Sequence, residues 1–475
     1  LTKKITLTLD ERRIPSALVY TQALCFALLY GIWALPQTIL VRNICLILGA
    51  VIGLYQIYAY RKLFKLSENF PILLLLALFG WMTFHLFFLG DNYAMQLEEY
   101  KSVWKRSFLV LIFAFGFGLS IAKSESKVQK LSWIIFYLGL MMPIFIYLLK
   151  FTLTQLGRIY EFDAPAYWTL YQSNGSSSPY YIAKTAYMGF CAPVLAISMG
   201  QLYVQLKKGL WVNLWNLVYL VNIFTIFFIF YKENVKNGIL YGFIFTLIFL
   251  GLISFKTFKV VPIKTGIFIL LVISFCGIFV GKHVEENRSW QTLYADAKIA
   301  IQTDRYQNWK YGDDMGYPLN EYGERVSVTN YERIAWFFTA SRLVAQYPLG
   351  YGLIERSFRQ RGNQLWPGSR LSQSHSGWLD LSLGIGVPGI LLILGVLLMN
   401  LKALSQVKAR EEFLETWATM AFWALLCFLL IWCTTEISQK VFFEELIFFL
   451  ALAAGLMLGF SGAGRATQLN MKLKI

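Results

Sequence analysis

Apolar runs of membrane-crossing length alternate with short polar breaks along most of the chain. They predict spans near residues 14–35, 39–60, 71–90, 107–123, 131–152, 181–205, 211–231, 239–255, 264–281, 376–400, 414–434 and 446–461. Each run is close to the ~20 residues that an α-helix needs to cross a bilayer. Leu, Ile and Phe surround the runs on all sides. In lipid, only helices and closed barrels satisfy every backbone group. Barrel strands would be ~10 residues long with strict alternation, which is absent. The expected fold class is an all-α polytopic membrane protein with about 12 transmembrane helices. The pattern divides the chain into spans one to nine (1–281), a large polar loop (282–375), and three further spans with a short tail (376–475).

Positive charge falls in alternate breaks. Lys3, Lys4, Arg12 and Arg13 precede the first span, and Arg61, Lys62 and Lys65 follow the second. Lys123, Lys127 and Lys130, then Lys207 and Lys208, then Lys256, Lys259 and Lys264 continue the series. Lys402, Lys408 and Arg410 follow, and Arg465, Lys472 and Lys474 end the chain. With twelve spans these clusters share one face, expected to be cytoplasmic, with both termini there. Lys101, Lys105 and Arg106 are exceptions. The external face then carries residues 153–180, rich in Ser, Gly, Tyr and Pro, and the long loop. A loop of that length is usually functional. The start, LTKKITLTLDERRIP, lacks the layout of a cleavable signal peptide, so the first span is expected to act as an uncleaved anchor.

Composition agrees with the pattern. Of 475 residues, 57% are hydrophobic and 15% charged, with mean hydropathy +0.52. Soluble domains carry about 25% charged residues, so a soluble enzyme, a disordered chain and a fibrous chain are excluded. The formal charge of +16 would suggest nucleic acid in a soluble protein. Here it reads as topology-setting Lys and Arg, and no nucleic-acid partner is expected. Cys25, Cys45, Cys191, Cys276, Cys427 and Cys433 all fall in apolar runs without a CxxC, and are expected to be buried thiols.

The polar loop holds the candidate chemistry. The stretch TNYERIAWFFTASRLVAQYP predicts a helix with Thr329 as N-cap and Glu332 completing a capping box. Ile334, Phe337, Phe338, Leu343 and Val344 give it an apolar side, so it is expected to lie on the membrane surface. Arg333 falls in its first turn, where a cation opposes the helix dipole unless an anion binds there. The alternative is a carboxylate partner within the loop. Arg356, Arg359, Arg361 and Arg370 follow, with Glu355 the sole acidic residue among them. The external turn KENVKNG adds Lys232 and Lys236, read either as snorkelling lysines or as an anion site.

Only three histidines occur. His85, within FHLFF, is expected to be a structural hydrogen-bonder, and His283 a solvated interfacial residue. His375 follows the Arg cluster at the membrane boundary and can serve as a general base near neutral pH. Guanidinium groups bind pyrophosphate through forked, charge-assisted hydrogen bonds. The combination points to a lipid-linked phosphate or pyrophosphate donor attacked by an acceptor that His375 deprotonates. An anion or glycolipid transporter remains open on these residues alone. Asp313 and Asp314 are adjacent carboxylates but match no metal-binding spacing, so neither metal nor cofactor is expected.

His375-Ser376, nine residues, then Gly386-Val387-Pro388-Gly389 resembles the His-[Asn/Ser/Gln], nine residues, Gly-x-x-Gly signature of bacterial O-antigen ligases, the WaaL family. Arg333-Ile334-Ala335-Trp336, followed by Pro348-Leu349-Gly350-Tyr351-Gly352, is similar to that family's Arg-bearing loop helix and the turn after it. The motifs cover about 60 residues, and the span layout with a large loop extends the likeness over most of the chain. The resemblance implies a metal-independent, inverting glycosyltransferase of the bacterial inner membrane. It would move O-antigen from undecaprenyl pyrophosphate to lipid A–core at the periplasmic face, as a monomer. By the same resemblance His375 activates the acceptor hydroxyl and Arg333 contacts pyrophosphate. Where the family has an Arg at the outer start of a span, this chain has Lys236, which keeps the charge and loses the bidentate fork. Arg356, Arg359, Arg361 and Arg370 are further candidates for pyrophosphate. The segment around Tyr160–Tyr181 is a candidate sugar-stacking surface. O-antigen polymerases and protein O-oligosaccharyltransferases share much of this layout and are the alternative readings, with an anionic glycolipid transporter as the reading from another class.

Overall fold

The computed structural model describes residues 14–64, 69–162, 165–170, 182–257, 262–286, 288–407, 412–436 and 440–472. Within them a helix stands at every predicted span. The first are α1 (Ser16–Trp33), α2 (Ile39–Ala59) and α3 (Phe70–Phe88). Next, α4 (Tyr93–Glu99) passes through a π-helical turn into α5 (Lys105–Lys123), forming one span. Then come α6 (Ser126–Ile159), α7 (Lys184–Lys207), α8 (Leu214–Lys232), α9 (Lys236–Thr257) and α10 (Pro262–Glu286). The polar loop contributes α11 (Arg288–Gln291), α12 (Leu293–Ala300), α13 (Val328–Gln346) and α14 (Ser357–Leu365). The last three spans are α15 (Gly377–Ser405), α16 (Glu412–Ile431) and α17 (Lys440–Lys472).

Among the described residues, 11 helices are long and apolar enough to cross a membrane, and α10 adds a shorter apolar stretch, Pro262–Ser274. The only β pairing described is one isolated bridge, Leu319 with Arg325. The protein is an all-α, multi-pass membrane protein. Lys3, Lys4, Arg12, Arg13, Lys65, Lys259, Lys408, Arg410 and Lys474 lie outside the described residues, as do 163–164 and 171–181 of the candidate sugar-stacking segment. The side chains of Lys256, Cys276, Arg465 and Lys472 lie outside them too.

Burial sorts the helices. In α7 and α17, 94% of the apolar window is buried, against 39–72% in the other spans. These two form the centre, and the rest face lipid on one side. Helix packing in lipid relies on van der Waals contact, which small residues permit. Along the α5–α17 contact a Cβ on Gly118 would stand 2.3 Å from the Leu452 carbonyl oxygen, and one on Gly455 would stand 2.2 Å from that of Phe115. The Glu444 carboxylate of α17 accepts from Arg106 at 3.0 Å and from the Trp33 indole at 3.2 Å. Arg106 is therefore neutralised inside the bundle, which explains one of the exceptions to the charge pattern.

The long span α15 is broken near its start. Gly386 has φ 71° and ψ 174°. The break frees carbonyls that the turn after α13 takes up: Tyr351 N–H donates to Leu383 O and Gly352 N–H to Gly384 O, both at 2.7 Å. The Trp81 indole donates to Ile385 O at 2.7 Å, and Val387 N–H donates to Pro348 O at 2.7 Å. The Gly-x-x-Gly run thus docks the Pro348–Gly352 turn, and with it the end of α13, against the span that begins beside His375. His85 supports the same turn. It is fully buried, with Nε2 3.1 Å from Gly350 O and Nδ1 2.9 Å from the Gln96 amide, the structural role expected of it.

A Cβ at position 386 would meet Leu349 O at 2.3 Å on a left-handed backbone, whereas at Gly389 its nearest neighbours are side-chain atoms of Ile385, the first at 2.7 Å. Gly386→Ala is expected to destabilise the protein by about 1–3 kcal/mol. Gly389→Ala should cost less, because Gly386 but not Gly389 has a left-handed backbone. Thermal unfolding of the two purified variants checks the order.

The loop between α10 and α15 has its own core of Trp309, Tyr331, Trp336, Leu343, Phe358 and Leu371. Here α13 departs from expectation. It starts two residues early, with Ser327 at the N-cap and no side-chain cap. Thr329 therefore lies in the first turn, and Glu332 instead accepts from the Tyr317 hydroxyl at 2.5 Å. The helix does not lie on a membrane surface by a whole apolar face. Tyr331, Ala335, Trp336, Thr339 and Ala340 are buried, because small residues let Trp336 reach the loop core. Phe337 and Phe338 stay exposed on the other side. His283, expected to be solvated, is buried, with its ring near Tyr231 and Trp290.

Candidate active site

His375 sits on the turn Ser374–Ser376, just before α15. The buried Asp380 one turn into the helix accepts from the Ser374 amide at 2.9 Å and from its hydroxyl at 2.7 Å. Ser376 caps the helix, accepting from Leu379 N–H at 3.4 Å. These bonds hold His375 at φ 58°, a left-handed conformation that a non-glycine residue adopts only when its surroundings enforce it. The imidazole lies flat on Trp336, with centroids 5.3 Å apart and planes at 6°. Its Nδ1 is 2.9 Å from Glu436 Oε2.

Glu436 belongs to the turn between α16 and α17 and is 7% exposed. Burial alone would raise its pKa. The hydrogen bond from His375, the charges of His375 and Arg333 and a backbone hydrogen bond together outweigh this and hold it below the ordinary carboxylate value of 4.5. An ionised carboxylate only accepts hydrogen bonds. Nδ1 therefore carries a proton and donates it to Glu436, so Nε2 is the ring nitrogen left to exchange a proton with a substrate.

A cavity of about 310 Å³ is lined by His375, Arg333 and Lys236, with Leu240, Leu293, Phe337 and Phe338 among its apolar residues. Arg333 projects from α13 three residues before Trp336, hence from a neighbouring position on the same helix face. Lys236 opens α9 after a turn in which Asn234 has φ 49°, and its ammonium donates to Ser289 Oγ. Asn237 and Tyr241 tie α9 to Thr434, at 2.6 and 2.9 Å. The buried Asp296 carboxylate anchors α13 from α12, accepting from Asn330 at 3.0 Å and from the Ser327 amide at 3.2 Å. Among the described residues neither Arg333 nor Lys236 has a carboxylate within 4 Å. The loop-carboxylate reading of Arg333 therefore fails. The cavity holds two cations, and Glu436, on which the Arg333 charge acts, is engaged with His375.

The other arginines do not join this group. Arg370 pairs with Asp314 at 2.8 Å. Arg361 lies over the Tyr347 ring at 3.9 Å and 4.0 Å from Asp91. Arg356 and Arg359 are exposed. None of the four lines the His375 cavity. Spacing explains why: successive residues of a helix turn by about 100°, so positions 356, 359 and 361 of α14 and its N-cap do not converge. Asp313 pairs with Arg325 at 2.5 Å, so the adjacent carboxylates face different partners, and no group of metal-ligating side chains occurs among the described residues. Lys232 is exposed, with its ammonium about 6 Å from the Phe228 and Tyr231 rings. Cys433 is exposed and lines the cavity, while Cys25, Cys45, Cys191 and Cys427 are buried, and all five are free.

Because its folded pKa is depressed, Glu436 contributes stability that is present above its unfolded value and lost as pH falls through the folded one. The difference in melting temperature between wild type and Glu436→Gln is expected to shrink as pH falls below the ordinary carboxylate value of 4.5 and through the lower folded one. Melting curves across that range check it.

No protein-family model matches this chain, and no curated protein or solved structure does.

Proposed function

We propose that the protein is an O-antigen ligase of the bacterial inner membrane, joining a glycan carried on undecaprenyl pyrophosphate to lipid A–core at the periplasmic face. The observation that carries this reading is the pairing, in one cavity, of an imidazole oriented by an ionised carboxylate with two cations that lack a carboxylate partner among the described residues. Nε2 of His375 takes the proton of the acceptor hydroxyl. The hydroxyl oxygen forms a bond to the anomeric carbon as the bond from that carbon to the pyrophosphate oxygen breaks. The electron pair stays on the pyrophosphate, where Arg333 and Lys236 meet the developing charge. Displacement by an activated hydroxyl inverts the anomeric centre. Leu240, Leu293, Phe337 and Phe338 offer the lipid end of the donor an apolar wall.

Deletion of the gene in its host, followed by mass spectrometry of the glycolipids, tests the reading. Bare lipid A–core with long glycan retained on undecaprenyl pyrophosphate is the expected result. Core bearing a single repeat would assign polymerisation instead. An unchanged core with altered glycoproteins would assign protein glycosylation.

A further inference from the structure

A second chamber, of about 170 Å³, adjoins the His375 cavity and shares Lys236 and Arg333 with it. Its other lining residues include Lys184, Asn234, Thr435 and Glu436. The two spaces differ in character: the first has aromatic and leucine walls, the second mainly polar ones. Lys184 is the first residue of α7, is exposed, and has no carboxylate within 4 Å among the described residues. Its charge and that of Arg333 both act on Lys236. Three cations thus face a small polar space. The carboxylate on its wall, Glu436, already holds His375.

Crowded like charges repel and cost stability unless an anion joins them. A single phosphate in the first cavity would reach Lys236 and Arg333 and leave Lys184 unused. A diphosphate carries a second phosphoryl group, for which the adjoining chamber, sharing Lys236 and Arg333, offers a place. It also gains a negative charge as its bond to the sugar breaks, which a third fixed cation offsets. We infer that the polar chamber is a diphosphate subsite, with Lys184 as a third leaving-group contact beside Lys236 and Arg333. This rests on the pyrophosphate-donor reading of the neighbouring cavity.

Binding to the full-length chain in detergent tests it, with farnesyl pyrophosphate, inorganic pyrophosphate and farnesyl monophosphate as probes. Lys184→Ala is expected to weaken both diphosphates about tenfold and the monophosphate less than about twofold. Lys184→Arg should retain affinity, and an unchanged melting temperature would show that the exposed side chain is not needed for folding. If the monophosphate loses as much as the diphosphates, Lys184 acts only as a distant charge and the subsite is wrong. If Lys184→Ala binds diphosphates like wild type while Arg333→Ala is weakened, the subsite is wrong and the donor reading stands. If wild type binds neither diphosphate, the donor reading itself falls. Equal sensitivity of inorganic and farnesyl pyrophosphate would show that the diphosphate, not the lipid, is recognised there.

Discussion

Replacing His375 is expected to slow glycan transfer by about 10²–10⁴-fold, the range that a positioned general base contributes. His375→Asn is the cleaner variant. Asn tolerates the left-handed backbone better than most residues, and His375 has φ 58°. The hydrogen bonds that shape the turn run between Ser374, Ser376 and Asp380, so they do not need the imidazole. Donor affinity should change little, because pyrophosphate is assigned to other residues. A variant that binds donor like wild type but does not turn it over separates loss of chemistry from loss of fold. Initial rates and donor binding measured on the same preparation check this.

Arg333→Ala should lower kcat/KM by about 10²–10³-fold, comparable to removing one preorganised donor from a developing oxyanion. The effect differs in kind from that at His375, since donor binding should weaken along with turnover. Arg333→Lys should restore only part of the rate, because an ammonium supplies the charge without the planar fork. Folding should survive both changes: the helix is held by Tyr331, Trp336 and Leu343 in the loop core and by Asp296 at its start, none of which uses the guanidinium. Steady-state kinetics of the three proteins at fixed ionic strength would show it.

The bundle was legible because lipid leaves a chain few choices. An apolar run that must satisfy its own backbone is a helix, so all twelve predicted positions carry one. His375, Arg333 and Lys236 were legible because each stands at an element boundary on the predicted loop face. What escaped the sequence is what depends on three-dimensional closure. Glu436 lies 61 residues beyond His375 in a stretch that reads as an ordinary polar turn. Trp336 stood in the sequence only as the end of the Arg333-bearing motif, with no role of its own, yet it forms the floor under the imidazole. Arg356, Arg359, Arg361 and Arg370 looked like one cationic patch because they are close in sequence, whereas α14 spreads them and Asp314, Asp91 and Tyr347 take up two of them. The glycines at 386 and 389 read as a signature without a mechanism. The structure supplies one for Gly386, a break in α15 that receives the turn following α13.

The central claim is that this cavity transfers a glycan from a polyprenyl diphosphate to a hydroxyl acceptor with His375 as base. Its most direct test reconstitutes the purified full-length chain in liposomes with undecaprenyl-pyrophosphate-linked glycan and lipid A–core, and follows the linkage by mass spectrometry and NMR. The account predicts a glycosylated core with inverted anomeric configuration, released undecaprenyl pyrophosphate, and loss of both products in His375→Asn. Glycolipid moved across the bilayer without a new glycosidic bond, or undiminished transfer by His375→Asn, would contradict it.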